Sequence, residues 1–161
     1  MGIMAFSKII SRKKSLADLE NYLINANYEK NGKLFRFSSD LTIGDPESAY
    51  DSIIESLSYD LDSWQFSYKS IAKSLKFYDE FDLNYKFGIN RIDGKYKIHT
   101  DLSDVEYSVE YDFSKNIFSC NTVGAQENPV ICSDIKAKCE YVYTLLQDIF
   151  TKAKFNENSF K

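Results

Sequence analysis

The chain of 161 residues has one histidine, two prolines, six glycines and three cysteines, and each scarcity closes off a class of function. Relay catalysis of the Ser-His-Asp or Cys-His kind needs a histidine beside a nucleophile, and His99 is alone on a strand-like stretch, at an outward position. It reads as an incidental surface residue. Cys120, Cys132, Cys139 and His99 are the whole stock of zinc-type ligands, too dispersed to converge on a structural zinc site. An odd number of cysteines without a CxxC pair argues against a disulfide frame and for a reducing, cytoplasmic compartment. Cys132 and Cys139 are seven residues apart on an expected helix and read as inert core thiols. Gly88 and Gly94 stand apart, and no glycine-rich phosphate loop occurs. No apolar run is long enough for a membrane-spanning helix. The apolar start Met1 to Ile10 carries its charges, Lys8, Arg12, Lys13 and Lys14, inside or after it, where a signal peptide has them before. Neither a cofactor nor a metal is expected.

What the chain has in quantity is aromatic bulk: twelve tyrosines and twelve phenylalanines against one tryptophan. From Asp82 to Val123 the apolar residues alternate. Leu83, Tyr85, Phe87 and Ile89 are followed by Tyr96 and Ile98, then Tyr107, Val109, Tyr111 and Phe113, then Phe118 and Cys120. A period of two predicts four antiparallel strands with one buried face. Asp93-Gly94 predicts the first hairpin turn and sets Ile89 opposite Ile98. Turns at Ser103-Asp104 and Lys115-Asn116 then set Tyr96 opposite Tyr111 and Phe113 opposite Phe118. On the wet face these registers put Lys86 against Asp101, Lys97 against Glu110 and Lys95 against Asp112. The acidic row Glu106, Glu110, Asp112 therefore reads as compensated, solvated charge.

The rest of the chain is taken in order. Residues 1–14 form an apolar, then basic lead, either a short docked helix or a loose arm. A single domain spans 15–155. Ser15 predicts an N-cap, with Leu16, Leu19, Leu23 and Ala26 at helical spacing and Asn31-Gly32 as the stop. Residues 33–38 predict an added edge strand. Asp45-Pro46-Glu47 predicts a second helix, with Ala49, Tyr50, Ile53, Ile54 and Leu57 on one stripe. Between 63 and 81, Trp64, Phe66 and Tyr68 predict a strand and Ser70 a short helix after it; one bulged hairpin is the other reading. Asn128-Pro129 opens a last helix of about seven turns, with Ile131, Ile135, Cys139, Val142, Leu146, Ile149 and Ala153 on one stripe. Residues 156–161 are expected to fray. The fold class is α+β in two layers: an antiparallel meander sheet of about four to six strands, packed against a long C-terminal helix, with two N-terminal helices.

One charge feature stands out. No basic residue occurs between Arg36 and Lys69, and those 32 residues carry seven acids. Glu47, Asp51 and Glu55 are four apart and stack on one face of the expected second helix, with Asp60 and Asp62 beyond it. Tyr59 and Trp64 stand nearby as apolar anchors, since hot spots favour such residues, although Trp64 reads better as core. The expected site is therefore a partner-binding face of Glu47, Asp51, Glu55, Tyr59, Asp60 and Asp62. Its partner would be a basic protein, because complementary charge speeds encounter and suppresses wrong partners. With net charge −4, direct nucleic-acid binding is not expected, nor is membrane binding, and the protein reads as a monomer or weak homodimer. In profile, though in no motif, the chain is similar to bacterial immunity proteins that neutralise nuclease toxins by covering their basic active site. That implies a non-enzymatic inhibitor. Two other readings stand beside it: a secretion-chaperone-like protein holding an extended segment, and a carboxylate-based hydrolase.

Overall fold

The computed structural model describes residues 3–42, 50–122 and 128–161. Helix α1 (Ile3–Asn25) leads into strands β1 (Glu29–Asn31), β2 (Leu34–Thr42), β3 (Ser52–Asp60), β4 (Gln65–Lys73) and β5 (Phe77–Lys86). Strands β6 (Arg91–Thr100), β7 (Asp104–Asp112) and β8 (Ile117–Thr122) follow, then helix α2 (Pro129–Ala153) and a short 3-10 turn, Glu157–Phe160. The strands pair in chain order, each antiparallel to the next, in one eight-stranded sheet.

The α+β meander with its C-terminal helix is as the alternation implied, but among the described residues the sheet has eight strands and one helix precedes it. The stretch read as the second helix is β3. Leu57 and Tyr59 are buried on the core face, while Ser56 and Ser58 alternate with them. The expected start of that helix, 45–47, lies outside the described residues. The expected helix after Ser70 is the second half of β4. Ser74 makes the following turn, its hydroxyl accepting from the backbone N–H of Lys76 and Phe77, and Leu75 is left fully in solvent at the tip. The bulged-hairpin alternative came nearer for this stretch.

In the meander the faces are as expected and the turns are not. Asp93 and Gly94 lie inside β6, and the hairpin closes at 87–90, where Gly88 and Asn90 take positive φ of 85° and 61°. Ile98 therefore pairs with Asp79 in place of Ile89, and Tyr96 with Phe81 and Tyr107. Phe118 pairs with Tyr111 in place of Phe113. Each pairing moves by an even number of residues, so the apolar set stays on its face, except Ile89, which falls in the turn and is exposed. Gly94 is required where it sits: a Cβ there would come within 2.0 Å of the Asp82 carbonyl oxygen on the neighbouring strand.

The core lies between one face of the sheet and both helices. Leu19 and Leu23 of α1 and Ile135, Cys139, Val142 and Leu146 of α2 cover Phe35, Tyr59, Phe66, Tyr68, Leu83, Tyr85 and Ile92. The α2 boundaries follow the sequence: Asn128 caps Val130 and Ile131 with its side chain, Pro129 takes the first position, and Lys154 closes in the left-handed conformation. Two expectations fail at the ends. Ser15 is not a cap but a buried residue within α1, its hydroxyl accepting from the backbone N–H of Asn156. Nor does the tail fray. Phe160 is buried, and Glu157 accepts from the Tyr85 hydroxyl, the Gly88 backbone and Gln147. The Arg12 guanidinium lies 4.9 Å from the Trp64 ring centre, and Trp64 packs edge-on against Phe160. The basic lead and the C-terminus therefore clasp each other, which a frayed tail and a loose arm would not do.

Candidate binding site

On the core face, aligned rows of side chains run across the ladder. One row is entirely apolar and aromatic: Phe35, Tyr59, Phe66, Tyr85, Ile92, Tyr111, Phe118. Two rows away the composition changes. Ser39, Glu55, Ser70, Phe81, Tyr96 and Tyr107 lie side by side, and the next row carries Ile53, Ala72, Asp79 and Ile98. The core face thus ends in a polar corner, roofed by the first three turns of α2.

Two carboxylates organise that corner in the same way. Asp79 is 6% exposed, and its Oδ2 accepts from the hydroxyls of Tyr50 (2.6 Å) and Tyr96 (3.1 Å). Glu55 Oε2 accepts from the hydroxyls of Tyr68 (2.7 Å) and Tyr141 (3.3 Å). In each case both donors converge on one oxygen, and among the described residues none donates to the other. A carboxylate has acceptor sites on both oxygens, so each retains capacity for an incoming N–H. Burial, helped by the Asp79 carboxylate, holds the phenols of Tyr50 and Tyr96 well above the usual tyrosine range. Burial and Glu55 do the same for Tyr68. The tyrosines therefore remain protonated donors at neutral pH.

Among the described residues no cation pairs with Asp79: no basic group lies within 4 Å of it, and the residues outside that set carry no Lys, Arg or His. The cation that reaches the corner from α2, Lys138, is spent on aromatic faces. Its ammonium lies 5.3 Å from the ring centre of Phe81, 5.4 Å from Tyr141 and 5.7 Å from Tyr68, and 3.5 Å from the Tyr68 hydroxyl. Exposed Asp134, one turn before Lys138 on α2, adds its charge to the surroundings of Tyr50 and Tyr96. Asp51 is exposed at the entry to β3, where its backbone N–H donates to Lys73.

Of the residues expected to form the partner face, only Glu55 and Asp51 lie at this end of β3. Glu55 is held by two tyrosines and is not a free helix-face charge. Glu47 lies outside the described residues. Tyr59 is fully buried among Tyr28 and Phe66, so it anchors the core and not a partner. Asp60 sits at the far end of the strand, where its carboxylate accepts from the backbone N–H of Asp62 and Ser63 in the β3–β4 turn. A helix would have stacked these residues on one face, whereas a nine-residue strand separates its ends by about 26 Å. Trp64 is engaged by Arg12 and Phe160.

The sequence reading missed Asp79, Tyr96, Lys138 and Tyr141. Their signal was present in Asp79, an acid at a core-face position of an otherwise apolar alternation, but reading 70–78 as helix hid that alternation. His99 stacks on Tyr78 with ring centres 4.1 Å apart, and its Nδ1 lies 2.9 Å from an Asp104 oxygen. No helix among the described residues is long and apolar enough to cross a membrane. No protein-family model matches the chain, and neither a curated protein nor a solved structure matches it.

Proposed function

We propose that this protein is a non-enzymatic binding module that receives basic side chains of a partner protein in the tyrosine-lined acidic corner of Glu55, Asp79 and Asp134. The observation that carries this reading is the pair of carboxylates, each tied to tyrosines through one oxygen and each keeping its second oxygen unengaged. A buried carboxylate without a cation costs free energy unless something offsets it. An arriving guanidinium supplies both the charge and a planar fork of donors, and the tyrosine faces suit it by stacking. Asp51 and Asp134 at the rim would attract it over longer range. A partner with an exposed basic groove fits this chemistry, and an enzyme that grips nucleic-acid phosphates has one. Covering that groove is the antidote-type inhibition that the charge profile suggests.

The experiment is a titration with an octa-arginine peptide, followed by the aromatic ring resonances of the tyrosines. Shifts are expected at Tyr50, Tyr68, Tyr96 and Tyr141, weakening with added salt and largely lost in a protein carrying Asp79→Asn and Asp134→Asn. Shifts spread over the whole acidic surface, or undiminished in the double variant, would overturn the assignment.

A further inference from the structure

The cysteines, set aside by their count and spacing, are brought together by the fold. Cys120 occupies the core face of β8, the last strand and one edge of the sheet. Cys132 lies in the first turn and a half of α2, its backbone N–H bonded to the Asn128 carbonyl oxygen. Their sulfurs are 2.6 Å apart, and both residues are partly exposed. Movement of roughly half an ångström brings them to bonding distance. Cys139, two turns further along α2, is fully buried, and burial pushes its thiol up to about 12. The chain thus has two adjacent, accessible thiols and one that is shielded and unreactive at neutral pH.

We propose that Cys120 and Cys132 form a reversible oxidation site, closing a disulfide that fastens α2 to the edge strand β8. The oxidant is a low-molecular-weight disulfide such as oxidised glutathione. One protein thiolate attacks a glutathione sulfur; the glutathione disulfide breaks, one glutathione leaves as thiolate, and a mixed disulfide forms on the protein. The second cysteine, having lost its proton to water, attacks the protein sulfur of that mixed disulfide and expels the second glutathione. The protein loses two protons and two electrons, that is, two hydrogen atoms, and oxidised glutathione becomes two reduced molecules. The bond would restrain α2 against the sheet within twelve residues of chain, on the helix that also carries Asp134 and Lys138.

The test uses the intact reduced protein, incubated with oxidised glutathione at mildly alkaline pH. The expected product has lost two hydrogens and retains one of its three thiols. Cleavage after Glu127, which separates the two cysteines in sequence, should leave their peptides joined until reductant is added. The oxidised form should melt about 5–10 °C higher than the reduced one. Cys120→Ser and Cys132→Ser should each retain a single glutathione adduct in place of the intramolecular bond, and Cys139→Ser should oxidise like the parent. Persistent glutathione adducts on the unmodified sequence without loss of two hydrogens would overturn the proposal. So would a bond that maps to Cys139. The peptide map needs no variant, so it decides the matter even if a serine substitution fails to fold.

Discussion

The two faces of the sheet treat their carboxylates differently. On the outer face, β7 presents Asp104, Glu106, Glu110 and Asp112 in alternation, and neighbouring β6 presents Arg91, Lys95, Lys97 and His99. Lys95 meets Glu106 at 3.0 Å and Arg91 meets Glu110 at 3.8 Å, all in contact with water. On the inner face Asp79 and Glu55 meet tyrosines instead of cations. The outer pairs differ from those the sequence implied, yet they meet Glu106 and Glu110 of the same row, while the Asp112 carboxylate accepts from the backbone N–H of Ser114 and Lys115. Charge on the outer face is therefore solvated and locally settled. Charge in the inner corner is not settled by the chain itself, and for that reason the corner, not the more acidic-looking strand, is the candidate site.

The largest effect that separates the faces is expected at high pH. Burial pushes Tyr28 up to about 12, and Tyr50, Tyr59, Tyr68, Tyr85 and Tyr96 are also raised. Unfolded tyrosine titrates near ~10. A raised folded value means that the folded state holds its protons longer. This contribution is complete below about pH 10 and is lost as the pH rises through 12 and beyond. Phenolate absorbance of these tyrosines should then appear together with loss of the far-ultraviolet circular dichroism signal. Titration of all twelve tyrosines near pH 10 with the fold intact would remove the distinction.

A smaller effect is expected at Asp79. Replacing Asp79 by Ala leaves the hydroxyls of Tyr50 and Tyr96 without this acceptor, which costs about 1–3 kcal/mol in denaturant melts. Asp79→Asn keeps an acceptor of the same shape and should recover most of that loss, while still failing to bind the arginine peptide. If both substitutions are neutral, the tyrosine contacts contribute nothing and the corner is only wet surface. The smallest effect belongs to the outer face. Glu110→Ala breaks an exposed pair with Arg91 and should shift stability by less than about 0.5 kcal/mol, with no effect on peptide binding. A larger loss would mean that the outer charges also form a cooperative network.

Residues 82–123 and 45–78 show why one half of the sheet was legible and the other was not. In the first, nearly every large residue obeys a period of two, and that fixes the face whatever the turn. In the second, Ile54 breaks the alternation on the outer face while Glu55 occupies an inner position, so Ile53, Ile54 and Leu57 imitate a helical stripe. The serines at 52, 56 and 58 marked the wet face of a strand, but serine is too small and neutral to outweigh three aliphatic residues. Glu55 could be read as acidic but not as tyrosine-bound, because its partners come from β4 and α2, 13 and 86 residues away.

By itself the sequence determined local periodicity and local caps: the buried face of the strands from residue 82 onward, the length and ends of α2, and the solvated character of the outer charge. These depend on residues within a few positions of one another, where backbone geometry leaves little choice. The tertiary structure alone decided the turns, the pairings, the clasp of the two termini, the convergence of tyrosines on Asp79 and Glu55, and the meeting of Cys120 with Cys132. In an eight-stranded meander every register is set by the strands on both sides. Gly94 shows this physically: its place inside β6 follows from the close approach of the Asp82 carbonyl, which nothing in the dipeptide Asp93-Gly94 reveals.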